Sequence, residues 1–385
     1  MKIQIVKLKQ LAVMTGIALS GIGGSGAITP ANALTFNFNP SAATSQQAID
    51  GFTKAGEFWS SLFTDNVTIN IDIDYSRLDP GVLAQAGSTT QNFSYAQVYA
   101  ALSGDKTSAD DNTVVSNLST NAALSRLINR TSNNPNGSGS DLPYVYTAGT
   151  NSNTMELTNA NAKALGLATT VFSDASISFS TLFTFDFDRS DGINGNSYDF
   201  IGVATHEIGH ALGFISGVDV LDYNSPTVAN PNNGPFLDSQ FTSVNPLDLF
   251  RYSAQSKALG TIDFTADERD KYFSLDGGQT KIASFSTGVT FGDGRQASHW
   301  KDSSDFRITP ELGIMNPTFS NGQLGEITEN DLRAFDVIGW NRVSATATAV
   351  PEPADFIGTA IGAVFGFKLI QKRRQQRAKS TTKTI

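Results

Sequence analysis

The chain has 385 residues, a formal net charge of −9, no cysteine and only three histidines. The lack of cysteine excludes disulfides and any cysteine-ligated metal site. Residues 1–33 carry three lysines and no acid, and residues 346–385 carry seven Lys or Arg against two acids, which leaves −17 on residues 34–345. A body this acidic would be repelled by the phosphate backbone, so nucleic acid is excluded as a partner.

The first 33 residues have the three parts of a secretory signal peptide. Three lysines form a basic start, residues 11–28 are apolar, and residues 31–33 (Ala-Asn-Ala) supply small side chains for cleavage. We therefore expect the chain to be exported, with cleavage before Leu34.

The body that follows is long enough for one large or two modest hydrophobic cores. Apolar residues at helical spacing predict helices, and strict alternation of apolar and polar residues predicts strands. On this basis we expect helices over residues 45–63, 95–102, 113–128 and 159–167, and strands over residues 67–75 and 177–187.

The sequence HEIGHALGF, which starts at His206, carries the strongest chemical information in the chain. On a helix, His206 and His210 lie about 40° apart on one face, so both imidazoles can bind one ion. Glu207 projects about 100° further round, where it can exchange protons with water activated by a metal. Gly213 is placed to end this helix in a left-handed conformation. The pattern predicts a catalytic Zn²⁺ site.

Together with two later segments, this motif resembles the leishmanolysin-like branch of the metzincin zinc peptidases. The later segments are SHW around His299 and GIMNP around Met315. The resemblance covers residues 198–340. It implies that a long insert precedes His299, the third metal ligand, and that Met315 belongs to a Met-turn beneath the metal.

The chain departs from the metzincin pattern at the position where the third ligand usually follows the helix. That position is Ser216, which is a poor zinc ligand. Asp219, just beyond it, is an alternative to His299, since carboxylates also bind catalytic zinc. Pro317 stands where some metzincins have a metal-binding tyrosine, so no such tyrosine is expected. The family's cysteines are also absent.

The end of the chain is a second targeting segment. Residues 350–353 read Val-Pro-Glu-Pro and precede an apolar run over residues 356–370 and a basic end. The run is shorter than the roughly 20 residues of a comfortable membrane span, and its basic flank would hold it at the cytoplasmic side. The segment resembles the PEP-CTERM sorting tails of Gram-negative bacteria. This resemblance implies an exosortase-type processing partner and membrane contact only through the tail.

These patterns predict an α/β (α+β) fold of the metzincin type. We expect residues 34–214 to hold a twisted sheet and the active-site helix, residues 215–345 to hold the third ligand and the Met-turn, and residues 346–385 to form the tail. By resemblance, a protein or peptide substrate would lie extended along the sheet edge, with the strand over residues 177–187 as the candidate edge.

The leading hypothesis is a secreted or envelope-anchored zinc endopeptidase. The alternative is a zinc-stabilised surface or matrix protein without activity. Glu207 distinguishes the two hypotheses, because a purely structural zinc site requires no general base. Such a site also usually has four protein ligands.

Overall fold

The computed structural model describes residues 34–120, 123–147, 153–169, 172–227, 229–232, 234–241, 243–303 and 311–343. The described residues as far as Arg342 belong to one compact unit, and the division of the body at residue 214 remains a prediction. The predicted signal peptide and sorting tail lie outside the described residues. Within the part that the structure describes, no helix has the length and apolarity needed to cross a membrane.

The fold is mixed α/β, with several small sheets. The described residues form eight α-helices, α1 (Gln46–Leu62), α2 (Tyr95–Gly104), α3 (Ala109–Asn117), α4 (Asn159–Ala164), α5 (Phe200–Leu212), α6 (Val218–Tyr223), α7 (Ala254–Ala258) and α8 (Glu329–Val337). They also form the strands β1 (Thr35–Pro40), β2 (Thr68–Ser76), β3 (Ala84–Ser88), β4 (Thr90–Ser94), β5 (Ser125–Ile128), β6 (Tyr144–Thr147), β7 (Thr154–Thr158), β8 (Ala175–Ser180), β9 (Phe185–Asp186), β10 (Tyr198–Asp199), β11 (Arg251–Tyr252), β12 (Ile262–Asp263), β13 (Lys271–Phe273) and β14 (Ala283–Phe285).

The largest sheet has the strand order β1-β2-β8-β3. β1, β2 and β8 run parallel, whereas β3 is antiparallel to β8. The alternation predicted for residues 67–75 is confirmed, because Ile69, Ile71 and Ile73 are buried on one face of β2. β3 is an edge strand of this sheet, and helix α5, which carries His206 and His210, packs against it.

Helix α1 covers this sheet and holds α5 against it. The helix predicted over residues 45–63 is confirmed and is capped by Ser45, whose side chain accepts from the Ala48 N–H. Trp59 is fully buried and donates through Nε1 to the Thr205 carbonyl at 3.0 Å. A Cβ on Gly51 would lie 2.4 Å from the Phe200 ring, so glycine permits the close approach of α1 and α5.

The helix predicted over residues 113–128 is confirmed as far as Asn117 and is wrong beyond it. Helix α3 ends at Asn117, and residues 125–128 form β5, which pairs antiparallel with β6. The helix also begins earlier, because Ser108 and Asp111 exchange backbone-to-side-chain hydrogen bonds in a capping box. Leu127 and Ile128 fit the apolar spacing of a helix in the sequence. In the structure both belong to strand β5 and are fully buried.

The predicted long strand over residues 177–187 is also wrong, and so is its assignment to the sheet edge. It is divided into β8 and β9, and β9 pairs with β10 in a separate two-stranded sheet. The chain turns at Thr181, whose N–H donates to the Ser76 carbonyl at 2.9 Å. β8 lies inside the large sheet because β3 covers its outer side.

Candidate metal centre

Helix α5 carries two of the three histidines and is buried on every side except at His210. Its first turn is capped by Asp199, which accepts from the Gly202 N–H at 3.0 Å and forms an ion pair with Arg189. The helix ends at Gly213, whose φ of +120° costs a glycine little. Caps at both ends therefore fix a helix whose interior side chains face other protein elements.

The three histidines converge on one point. His210 Nε2 lies 3.1 Å from His206 Nε2 and 3.1 Å from His299 Nε2. Two nitrogen ligands at about 2.0–2.1 Å from one ion and at the tetrahedral angle would lie about 3.3 Å apart. Among the described residues, these three are the group of His and acidic side chains whose atoms lie close enough together to hold a metal ion.

The other ring nitrogen of each histidine faces a backbone carbonyl. His206 Nδ1 lies 2.8 Å from Ile314 O, His210 Nδ1 lies 2.7 Å from Phe214 O, and His299 Nδ1 lies 3.3 Å from Gln296 O. A carbonyl can only accept, so Nδ1 must carry the proton and Nε2 must present its lone pair. This is the tautomer that a metal ion requires, and the carbonyls also fix the ring orientations.

Burial keeps all three imidazoles neutral. It lowers the pKa of His206 to about 3 and that of His210 to about 4. Burial, with the neighbouring histidines as a second cause, also lowers the pKa of His299 well below its ordinary value. Neutral imidazoles are competent ligands near neutral pH, so no proton has to leave before a metal binds.

Glu207 is buried beside this centre, and only 6% of its surface is exposed. Burial raises the pKa of its carboxyl group to about 8, while the backbone N–H of Ala86 opposes that shift by favouring the anion. Ala86 belongs to β3, so Glu207 faces the edge strand of the large sheet. A cation held by the histidines would favour the anion further.

His299 is positioned by a carboxylate from another element. Asp219, on α6, accepts from the backbone N–H groups of Ala297 and Ser298 at 2.6 and 3.2 Å. Asp219 is therefore a support for the segment that carries His299, and it is absent from the group that could hold the metal. Ser216, the poor zinc ligand at the position where the third ligand usually follows the helix, donates instead to Asp248 at 2.6 Å.

Met315 lies directly beneath α5. It is fully buried, and a Cβ on Gly209 would lie 2.4 Å from its sulfur atom. Its carbonyl accepts from the Trp300 N–H at 3.0 Å, so the Met315 turn is tied to the residue after His299. Glycine between the two helical histidines therefore allows Met315 to pack under the centre.

Asp331 joins the parts of this centre, a role that sequence reasoning missed. Asp331 caps α8, since it accepts from the Thr328 N–H at 2.7 Å. The same fully buried carboxylate also accepts from Trp300 Nε1 at 2.8 Å, Ile314 N at 2.8 Å and Met315 N at 3.3 Å. It thus connects the His299 segment with the turn whose carbonyl orients His206.

Replacing Asp331 by asparagine is expected to weaken metal binding in a protein that still folds. The amide offers one acceptor oxygen and turns an NH₂ group towards backbone donors. We expect a loss of roughly 3 kcal/mol in the free energy of unfolding and about 10- to 100-fold in zinc affinity. Denaturant unfolding and competitive zinc titration measure these quantities, with the exposed Glu329→Gln on the same helix as control. Unchanged zinc affinity in Asp331→Asn would refute the positioning role.

Comparison of the chain with protein-family models, with curated proteins and with solved structures found no match. The function proposed below is therefore supported by the motif and by the geometry of the three histidines and Glu207.

Proposed function

We propose that the protein is a zinc-dependent endopeptidase of the metzincin type. The observation that carries this proposal is the convergence of three imidazoles beside a buried Glu207, with His210 Nε2 3.1 Å from the Nε2 atoms of both His206 and His299. Three neutral imidazoles are a donor set that zinc prefers, and three protein ligands leave a fourth position open for catalysis. The Met315 turn and the distant third histidine support the metzincin type.

The histidines and Glu207 have different roles in the proposed reaction. The histidines would hold zinc, which when bound supplies a Lewis acid that polarises a carbonyl and lowers the pKa of water. Glu207 accepts the proton of the attacking water and returns it to the nitrogen of the leaving amine. Its low exposure keeps bulk solvent away from that proton.

An extended peptide would bind along β3, which replaces the strand over residues 177–187 as the candidate edge. β3 pairs with β8 on one side only, so its outer backbone groups are available to a further strand. Ala84, Ala86 and Gly87 leave this edge nearly free of bulky side chains. The Ala86 N–H lies beside Glu207, which brings the edge next to the catalytic carboxylate.

We also propose that the enzyme acts in the cell envelope or outside the cell of a Gram-negative bacterium. The support for this is the signal-peptide pattern over residues 1–33 and the PEP-CTERM-type tail over residues 346–385. An exosortase-type enzyme would process that tail, and protein or peptide would be the substrate.

Metal removal tests the proposed function. Protein treated with a chelator is expected to lose hydrolysis of casein or of a fluorogenic peptide and to recover it with one equivalent of zinc, because water alone is a poor nucleophile at neutral pH. Apoprotein and zinc-restored protein of the same preparation serve as the matched pair. Hydrolysis that persists without metal would overturn the proposal, and stoichiometric zinc without any hydrolysis would favour the inactive matrix protein.

A further inference from the structure

Arg251 is a buried cation beside the segment that carries His299. It lies on β11, and only 1% of its surface is exposed. Its Nη1 donates to the Ala297 carbonyl at 3.2 Å, and its Nη2 donates to the Ser286 carbonyl at 2.7 Å. One guanidinium group therefore binds the backbone at both ends of the loop over residues 287–296.

Ser286 connects Arg251 with His299 itself. The Ser286 N–H donates to the His299 carbonyl at 3.0 Å, and its hydroxyl donates to the Trp300 carbonyl at 2.9 Å. The preceding residue, Phe285, stacks on Trp300 with the ring centroids 4.9 Å apart. The loop between these contacts contains three glycines, and glycine has more conformational freedom than any other residue. Contacts at the base of the loop are therefore needed to hold the backbone of His299 in one position.

Opposite charges lie on the two sides of the peptide group that joins Ala297 to Ser298. Its carbonyl accepts from Arg251, and its N–H donates to Asp219 at 3.2 Å. The C=O and N–H of a trans peptide point in opposite directions, so a reversed peptide would turn its carbonyl towards the carboxylate and its N–H towards the guanidinium. Both contacts would be repulsive. Arg251 and Asp219 together therefore select one orientation of the peptide that precedes His299.

The guanidinium group keeps its charge at this buried position. Burial lowers the pKa of Arg251, while Asp248, Asp263 and Asp219 favour its protonated form. The ordinary pKa of arginine is so high that the group stays protonated in proteins. A charged donor makes stronger hydrogen bonds than a neutral one, so both carbonyls are held firmly.

We propose that Arg251 is a positioning residue for the third metal ligand. Its guanidinium group fixes the base of the loop over residues 287–296 and thereby holds His299 where its Nε2 meets the two histidines of α5. The inference rests on the proposed function, in which these histidines hold zinc. It deepens that function by making the ligand geometry depend on a cation outside the metal-binding group.

The zinc affinity of Arg251→Lys tests this role separately from catalysis. Lysine keeps the positive charge, but its ammonium group lacks the planar fork that binds two carbonyls at fixed positions. We expect zinc affinity to fall about 10- to 100-fold, as it does when a group that orients a metal ligand is altered. Competitive zinc titration of the folded variant measures this loss.

Arg126→Lys is the matched control. Arg126 is equally buried, donates through Nη2 to the Phe241 carbonyl at 2.7 Å and packs over the Phe264 ring. The carbonyl that it holds lies outside the segment of His299. Both variants should unfold at a lower temperature, but only Arg251→Lys should lose zinc affinity. Unchanged zinc affinity in Arg251→Lys would overturn the inference, as would an equal loss in the two variants.

Amide hydrogen exchange of the unaltered protein provides a measurement that does not depend on the folding of any variant. Arg251 and Asp219 act without the metal, so the amides of Ala297 and Ser298 should already be protected in the apoprotein. Protection that appears only after zinc is added would overturn the inference. An unaltered protein that binds no zinc would instead contradict the proposed function, and the inference would fall with it.

Discussion

The variant Glu207→Gln is expected to lose about 10²- to 10⁴-fold in kcat, the contribution of a general acid–base. Glutamine has nearly the same size and keeps an acceptor oxygen, but it cannot take a proton from water and return it to the amine. The fold should persist, because burial already raises the pKa of Glu207 to about 8 and the site therefore tolerates a neutral group. Zinc content should persist as well, since the three imidazoles are intact.

The assay for Glu207→Gln needs three readouts on the same preparation. These are kcat on a fluorogenic peptide, zinc content, and the unfolding midpoint. Glu57→Gln removes one acid from an exposed position and controls for the change in net charge. A Glu207→Gln protein with full zinc and unchanged kcat would refute Glu207 as the general base.

His299→Ala is expected to lose both metal and activity. One of three converging nitrogens disappears, and the remaining pair, His206 and His210, would hold zinc with two ligands from a single helix. The loss of zinc affinity should exceed the roughly 10- to 100-fold that removal of an outer-shell partner costs. Metal analysis after dialysis at limiting zinc measures this loss.

Asp219→Asn is the matched variant for His299→Ala, because Asp219 contacts the same segment without pointing to the metal. Its carboxylate accepts from the backbone N–H groups of Ala297 and Ser298, so the substitution should shift the segment that carries His299 and weaken zinc binding. At saturating zinc concentrations the variant should still bind the metal. The opposite result, with full zinc content in His299→Ala and no zinc in Asp219→Asn, would identify Asp219 as the third ligand.

The features that the sequence predicted depend on local periodicity. The alternation in β2, the spacing of apolar residues in α1 and the four-residue spacing of His206 and His210 each act within one element. The repeat of a helix or a strand determines which of its residues share a face. The residues of that one segment are therefore enough to predict the element.

The features that the sequence did not predict depend on partners distant in the chain. β3 reads Ala-Gln-Ala-Gly-Ser, which has weak strand propensity, and it is a strand because β8 supplies its hydrogen bonds. Asp219 and Asp331 resemble ordinary turn and capping residues, and their contacts with Ala297 and Trp300 arise only after folding.

X-ray absorption at the zinc edge of the purified protein tests the central claim most directly. The arrangement of His206, His210 and His299 predicts one zinc with three imidazole nitrogens and one further oxygen at about 2.0–2.1 Å. His299→Ala should lose one of these imidazoles or lose the metal. Zinc held by four protein ligands, or by fewer than three imidazoles in the unaltered protein, would contradict a catalytic three-histidine centre.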